Sequence, residues 1–104
     1  MKLQIVLAAL AAVMLPVHGA KLQCSGAVSD SNGNPVAESS GFLTADFTQK
    51  ACAASGGSIE PNRKGNDKCC VVSNEDAFLS SCRGLKAGSQ FPNGRPIPAR
   101  CWGD

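Results

Sequence analysis

Tyrosine is absent from this 104-residue chain, and its one histidine, His18, falls in an N-terminal stretch with the form of a removable leader. The chain beyond the leader therefore lacks the usual general base and a common general acid, which argues against hydrolytic and nuclease chemistry. No serine sits in a Gly-x-Ser-x-Gly elbow or beside a base. Two carboxylate pairs are available, Glu75 with Asp76 and Glu60 with Asp67, but eight acidic residues suit the solubility of a small domain. No Cys-x-x-Cys pair occurs, so a redox centre and a zinc site both lack their usual spacing. Gly56-Gly57 reads as a helix stop rather than a phosphate loop. The expectation is no catalytic residue, no metal and no cofactor.

Strong charge is missing too. Ten Lys and Arg against eight Asp and Glu leave +2, which gives no electrostatic reason to expect a nucleic-acid partner. Residues 21–104 hold no Asn-x-Ser/Thr sequon, and no apolar run there is long enough for a transmembrane segment.

The leader is read from Lys2, the apolar run Leu3 to Leu15, and Pro16-Val17-His18-Gly19-Ala20. This is the three-part form of a secretory signal peptide. Residues 1–20 are assigned to it, with cleavage after Gly19 or Ala20. Residues 21–104 are assigned to a single secreted, extracellular domain.

All six cysteines, Cys24, Cys52, Cys69, Cys70, Cys82 and Cys101, lie in that domain. An even count in a short secreted chain predicts a disulfide framework, here three bridges. The organising stretch is Cys69-Cys70-Val71-Val72, a short buried strand. Alternation turns Cys69 and Cys70 to opposite faces of the sheet. One of them is expected to bond to a helix cysteine, Cys52 or Cys82, and its neighbour to Cys24 or Cys101.

Leu22, Cys24 and Val28 share one face of a first strand, ended by the turn cluster Asp30 to Pro35, with a minor hairpin back through Val36 as an option. Leu43, Phe47, Ala51 and Ala54 make an apolar stripe on a helix from Phe42 to Ser55, with Ser39 or Ser40 as its cap. Ser58 to Val72 reads as a hairpin limited to an edge by Pro61. Its polar tip carries Arg63, Lys64 and Lys68, a candidate partner surface or a solvated loop. Ser73 and Asp76 approximate a capping box on a second helix ending at Arg83-Gly84-Leu85, and Ala99 to Trp102 is a final strand. Phe91 in the Gly/Pro loop and Trp102 beside Cys101 are aromatic candidates for a partner surface. The other reading has Phe91 pinning its loop and Trp102 covering a disulfide.

The order strand, helix, strand, strand, helix, strand predicts an α+β βαββαβ sandwich of ferredoxin-like type, its antiparallel sheet carrying both helices on one face.

The leader Met1-Lys2-Leu3 through Ala20, the short mature chain and the six cysteines with one adjacent pair resemble small secreted cysteine-rich proteins of filamentous fungi. The stretch Thr48-Gln49-Lys50-Ala51-Cys52-Ala53-Ala54-Ser55-Gly56-Gly57, the cysteine pair and the Phe78–Cys82 helix look like a recurrent arrangement in that group. The element order is similar to the smut-virus killer-toxin fold. The resemblance implies an effector at the fungus–host interface, acting by binding a host protein or cell-surface component and expected to be a monomer. The alternative it implies is an antimicrobial or killer-type toxin acting on competing microbes.

Overall fold

Ala20–Ser29 (β1) is the strand on which the sheet is built. The computed structural model describes residues 19–101, so the expected leader up to His18, and Trp102, lie outside the described residues. One edge of β1 pairs antiparallel with Arg95–Arg100 (β5), in register from Leu22↔Arg100 to Ala27↔Arg95. The other edge is shared. Its start pairs with Cys70–Val72 (β4), and its end with Pro35–Ala37 (β2). Ser58–Ile59 (β3) completes the sheet on β4.

The hairpin strand β2 corrects the expected βαββαβ order, because it stands between β1 and the first helix. Asp30 builds its turn. One carboxylate oxygen, Oδ1, accepts from the N–H groups of Asn32 (2.9 Å) and Asn34 (2.8 Å), while Asp30 N–H donates to Asn34 O. That local network returns the chain without any help from the core.

Phe42–Ala54 (α1) and Glu75–Arg83 (α2) supply the core on the face of β1 that carries Leu22 and Cys24. Leu43, Phe47 and Ala51 of the expected stripe are buried, whereas Ala54 is exposed and Ala45, Thr48 and Cys52 complete the buried set instead. Gly26 lets α1 approach β1 closely, because an added Cβ would lie 2.4 Å from Leu43 Cγ.

All six cysteines are buried in three bridges. Cys24–Cys82 ties β1 to α2, and Cys52–Cys70 ties α1 to β4. Cys69–Cys101 joins the residue before β4 to the residue after β5, the two strands that flank β1. Cys70 thus bonds to a helix and Cys69 to a strand end, as their opposite orientations require.

Both helix caps differ from expectation. Gly41, at φ 78°, is the N-cap of α1 and offers no side chain. Glu38 takes over from three residues upstream: Oε1 accepts from Leu43 N–H (2.9 Å) and Oε2 from Ser40 N–H (2.6 Å). Ser40 contributes by accepting from Phe42 N–H at 3.1 Å. For α2 the cap is Asn74, whose Oδ1 accepts from Ala77 N–H at 3.1 Å, rather than Ser73. Gly84 closes α2 in a right-handed conformation.

Burial acts to raise the Glu38 pKa, but hydrogen bonds from Ser40, Leu43 and Phe42 outweigh it and hold the carboxyl below its ordinary value of 4.5. A depressed folded-state pKa stabilises fully above the unfolded value, and the gain is lost as pH falls through the folded value. Thermal stability is therefore expected to be flat near neutrality and to fall below about pH 4.5. Glu38→Gln should lower Tm at pH 7 and flatten that acid limb; a parallel shift of the whole profile would argue against this role.

The outer edge of β5 is closed by composition. Cys101 N–H points at Lys21 O (3.2 Å), so alternation turns the N–H groups of Ala99, Ile97 and Arg95 toward β1 as well. Positions 96 and 98 face outward, and both are proline. That edge presents carbonyls with few donors, which blocks the addition of another strand. The Pro96→Val, Pro98→Val double variant is expected to gain a concentration-dependent dimer in size-exclusion chromatography with light scattering. A strictly monomeric double variant would contradict this account.

Candidate functional site

The shared edge of β1 leaves a notch. The β4 pairing stops at Leu22 and the β2 pairing starts at Ala27, so Gln23–Gly26 has no strand beside it on that side. Buried backbone groups need partners, and threonines on α1 provide them. Thr48 Oγ1 accepts from Cys24 N–H (3.0 Å) and donates back to Cys24 O (3.2 Å), while Thr44 Oγ1 accepts from Gly26 N–H (2.8 Å). The helix thus substitutes for the missing strand. The signal in the sequence was Thr44 and Thr48, four residues apart beside the apolar stripe.

Away from the core the notch opens into a cleft of about 430 Å³. Gln23 and Ser25 of β1 lie at its base, the segment from Ala37 to Gly41 forms one wall, and Asn66 and Asp67 form the other. Asn66 Nδ2 donates to Ser40 O at 3.1 Å, joining the walls. Gln23 is buried, 5% exposed, and its Nε2 donates to Lys68 O at 2.9 Å, which fixes the second wall to β1. Gln23, Ser25, Ser39, Ser40, Thr44 and Asn66 bring hydroxyl or amide groups to a lining whose exposed area is mostly apolar. The two charged side chains among the lining residues are the carboxylates of Glu38 and Asp67.

The hairpin tip is less of a cationic patch than its composition suggested. Arg63 is turned inward, its side chain 14% exposed, with Nε 2.9 Å from Glu60 Oε1 and Nη1 3.5 Å from Asp67 Oδ2. Lys21 Nζ holds the other Glu60 oxygen at 3.1 Å. Hydrogen bonds from Arg63 and Lys21 pull the Glu60 pKa below its ordinary value. Arg63 therefore braces the loop. Lys64 is exposed and Lys68 half-buried, so the three cations do not form one surface. The Glu60–Asp67 pair is bridged by Arg63 rather than arranged as an acid and a base.

Phe91 packs against the core and stacks on Phe42, their ring centroids 6.2 Å apart and planes 23° from parallel. It pins the loop down, while Phe42 stays 51% exposed. Glu75 and Asp76 occupy the first turn of α2, where their charge suits the helix dipole. Among the described residues no group of three or more His, Cys, Asp or Glu could hold a metal ion, and no helix is long and apolar enough to cross a membrane. A scan of protein-family models matches no family, and searches of curated proteins and of solved structures return no match.

Proposed function

We propose that this chain is a secreted binding protein of the fungal effector type, which engages a host protein or cell-surface component through its surface rather than through a catalytic residue. The observation that supports this reading is the cleft held on a cross-linked frame. Its base lies on β1, anchored by Cys24–Cys82, and one wall leads directly into β4, anchored by Cys52–Cys70 and Cys69–Cys101. A rigid frame lowers the ordering cost of recognition. With β2 set apart, the strands run β5-β1-β4-β3. That order supports the split βαβ architecture, and with it the likeness to the killer-toxin fold.

The test is to apply purified protein both to host tissue and to competing microbes. The effector reading expects saturable binding to host tissue, expression that rises during colonisation, and no growth inhibition. Growth inhibition of bacteria or fungi would transfer the protein to the toxin class. Glu75→Ala and Asp76→Ala should retain host binding; loss of all activity in either folded variant would revive an enzymatic reading.

The surface role of the hairpin tip is best probed at Lys64 alone. Lys64→Glu is expected to leave Tm unchanged, whereas Arg63→Glu should lower it by loosening the Glu60–Arg63–Asp67 brace. Equal stability of the two variants in thermal denaturation would contradict that division.

A further inference from the structure

We infer that the cleft at the notch is a carbohydrate site that takes the end of a short neutral oligosaccharide. The assignment rests on the reading of the chain as a binding protein, and it specifies what is bound.

Size comes first. At about 430 Å³ the cleft lies in the range of small-ligand sites, roughly 300–1,000 Å³. It suits one or two pyranose rings and is too small for a folded element of a partner.

Charge narrows the ligand. Glu38 and Asp67 line the cleft, and no Lys or Arg side chain does so among the described residues. Phosphate, sulfate or uronate groups would meet two carboxylates, of which Asp67 alone has a cation beside it, Arg63 outside the lining. Glu38 is already committed to the N–H groups of Leu43 and Ser40, so the cleft cannot readily shed that charge near neutral pH.

Hydrogen-bonding capacity then selects hydroxyl groups. Gln23 is almost wholly removed from solvent, at 5% exposure, yet its Oε1 accepts no hydrogen bond from the described residues. Among those residues no fully buried side-chain oxygen or nitrogen lacks a partner, so this oxygen must reach solvent, and Gln23 lines the cleft. Around it stand the hydroxyls of Ser25 and Ser39 and the half-exposed carboxylate of Asp67. Planar amide and carboxylate groups offering donors and acceptors side by side match the vicinal hydroxyls of a sugar. The Asn66–Ser40 bond sets the width of the opening before any ligand arrives.

The experiment is an NMR titration of ¹⁵N-labelled protein with neutral hexasaccharides of β-1,3-glucan, β-1,4-glucan and N-acetylglucosamine, to about 10 mM. At least one should give saturable shifts at the amides of Gln23, Ser25, Ser40 and Asn66. Ser39→Trp and Ala37→Trp, both at exposed positions of one wall, should each weaken that binding by roughly tenfold or more while keeping a dispersed spectrum. The assignment is overturned by the absence of saturable shifts with all three sugars. It is equally overturned if shifts centre on Phe42 and Phe91, or if a galacturonate hexamer or hexalysine occupies the cleft more tightly. Host-tissue binding that persists undiminished in Ser39→Trp removes the carbohydrate assignment and leaves the binding-protein reading standing. Cleft shifts with sugar but no binding to host tissue would do the reverse.

Discussion

A Cys24→Ala, Cys82→Ala double variant is expected to lose roughly 15–30 °C of Tm and to be largely unfolded at 37 °C. The bridge closes a separation of 58 residues, against 18 for Cys52–Cys70 and 32 for Cys69–Cys101. The loop-entropy model gives about 4 kcal/mol for the longest of these and about 3 kcal/mol for the shortest. A domain of this size has a total stability of about 4–12 kcal/mol, so one bridge is a large part of it. Both sulfurs are fully buried between β1 and α2, and truncating them also leaves a void in the core. Differential scanning calorimetry of the three double-alanine variants checks the ranking, with Cys24–Cys82 the most damaging to lose. A Tm within roughly 5 °C of the parent for that variant would show that packing alone holds α2 to the sheet.

Thr48→Val should be markedly harmful, although it barely changes volume. Thr48 is fully buried, and its hydroxyl serves both Cys24 N–H and Cys24 O. Removing it leaves two backbone groups of a buried strand unpaired, at about 1–3 kcal/mol each. The expected loss is about 2–4 kcal/mol, or roughly 10–25 °C of Tm for a domain this small. Thr48→Ser, which keeps the hydroxyl, should retain most of that stability. If valine and serine proved equally tolerated in urea or thermal unfolding, the helix would not be standing in for a strand.

The parts of this fold that could be read from the chain are those with local causes. Leu22, Cys24 and Val28 alternate because a strand alternates, and the adjacency of Cys69 and Cys70 forces their bridges in different directions. Leu43, Phe47 and Ala51 repeat with the helical period. What stayed hidden depends on contacts distant in sequence. Gln23 and Lys68 are 45 residues apart, and Asn66 and Ser40 are 26 apart, so nothing local announces the cleft they frame. Arg63 looked like part of a cationic cluster because neighbouring lysines share its sign, although the acids that hold it, Glu60 and Asp67, are only three and four residues away. Glu38 was passed over because two serines closer to the helix looked like better caps. The reach of a glutamate side chain across a left-handed glycine decided the matter.

The routing of the bridges also bears on what happens when the backbone is cut. The hairpin loop between β3 and β4 is largely exposed and includes Lys64-Gly65. Cys24 and Cys52 lie before this loop, and their partners Cys82 and Cys70 lie after it. A protease that nicks the chain after Lys64 would therefore release nothing. The two pieces would remain covalently joined at two points, with β1 still seated between β4 and β5. Such a molecule would run as one species on a non-reducing gel and separate into two only after reduction. Scission in this exposed loop does not free either half.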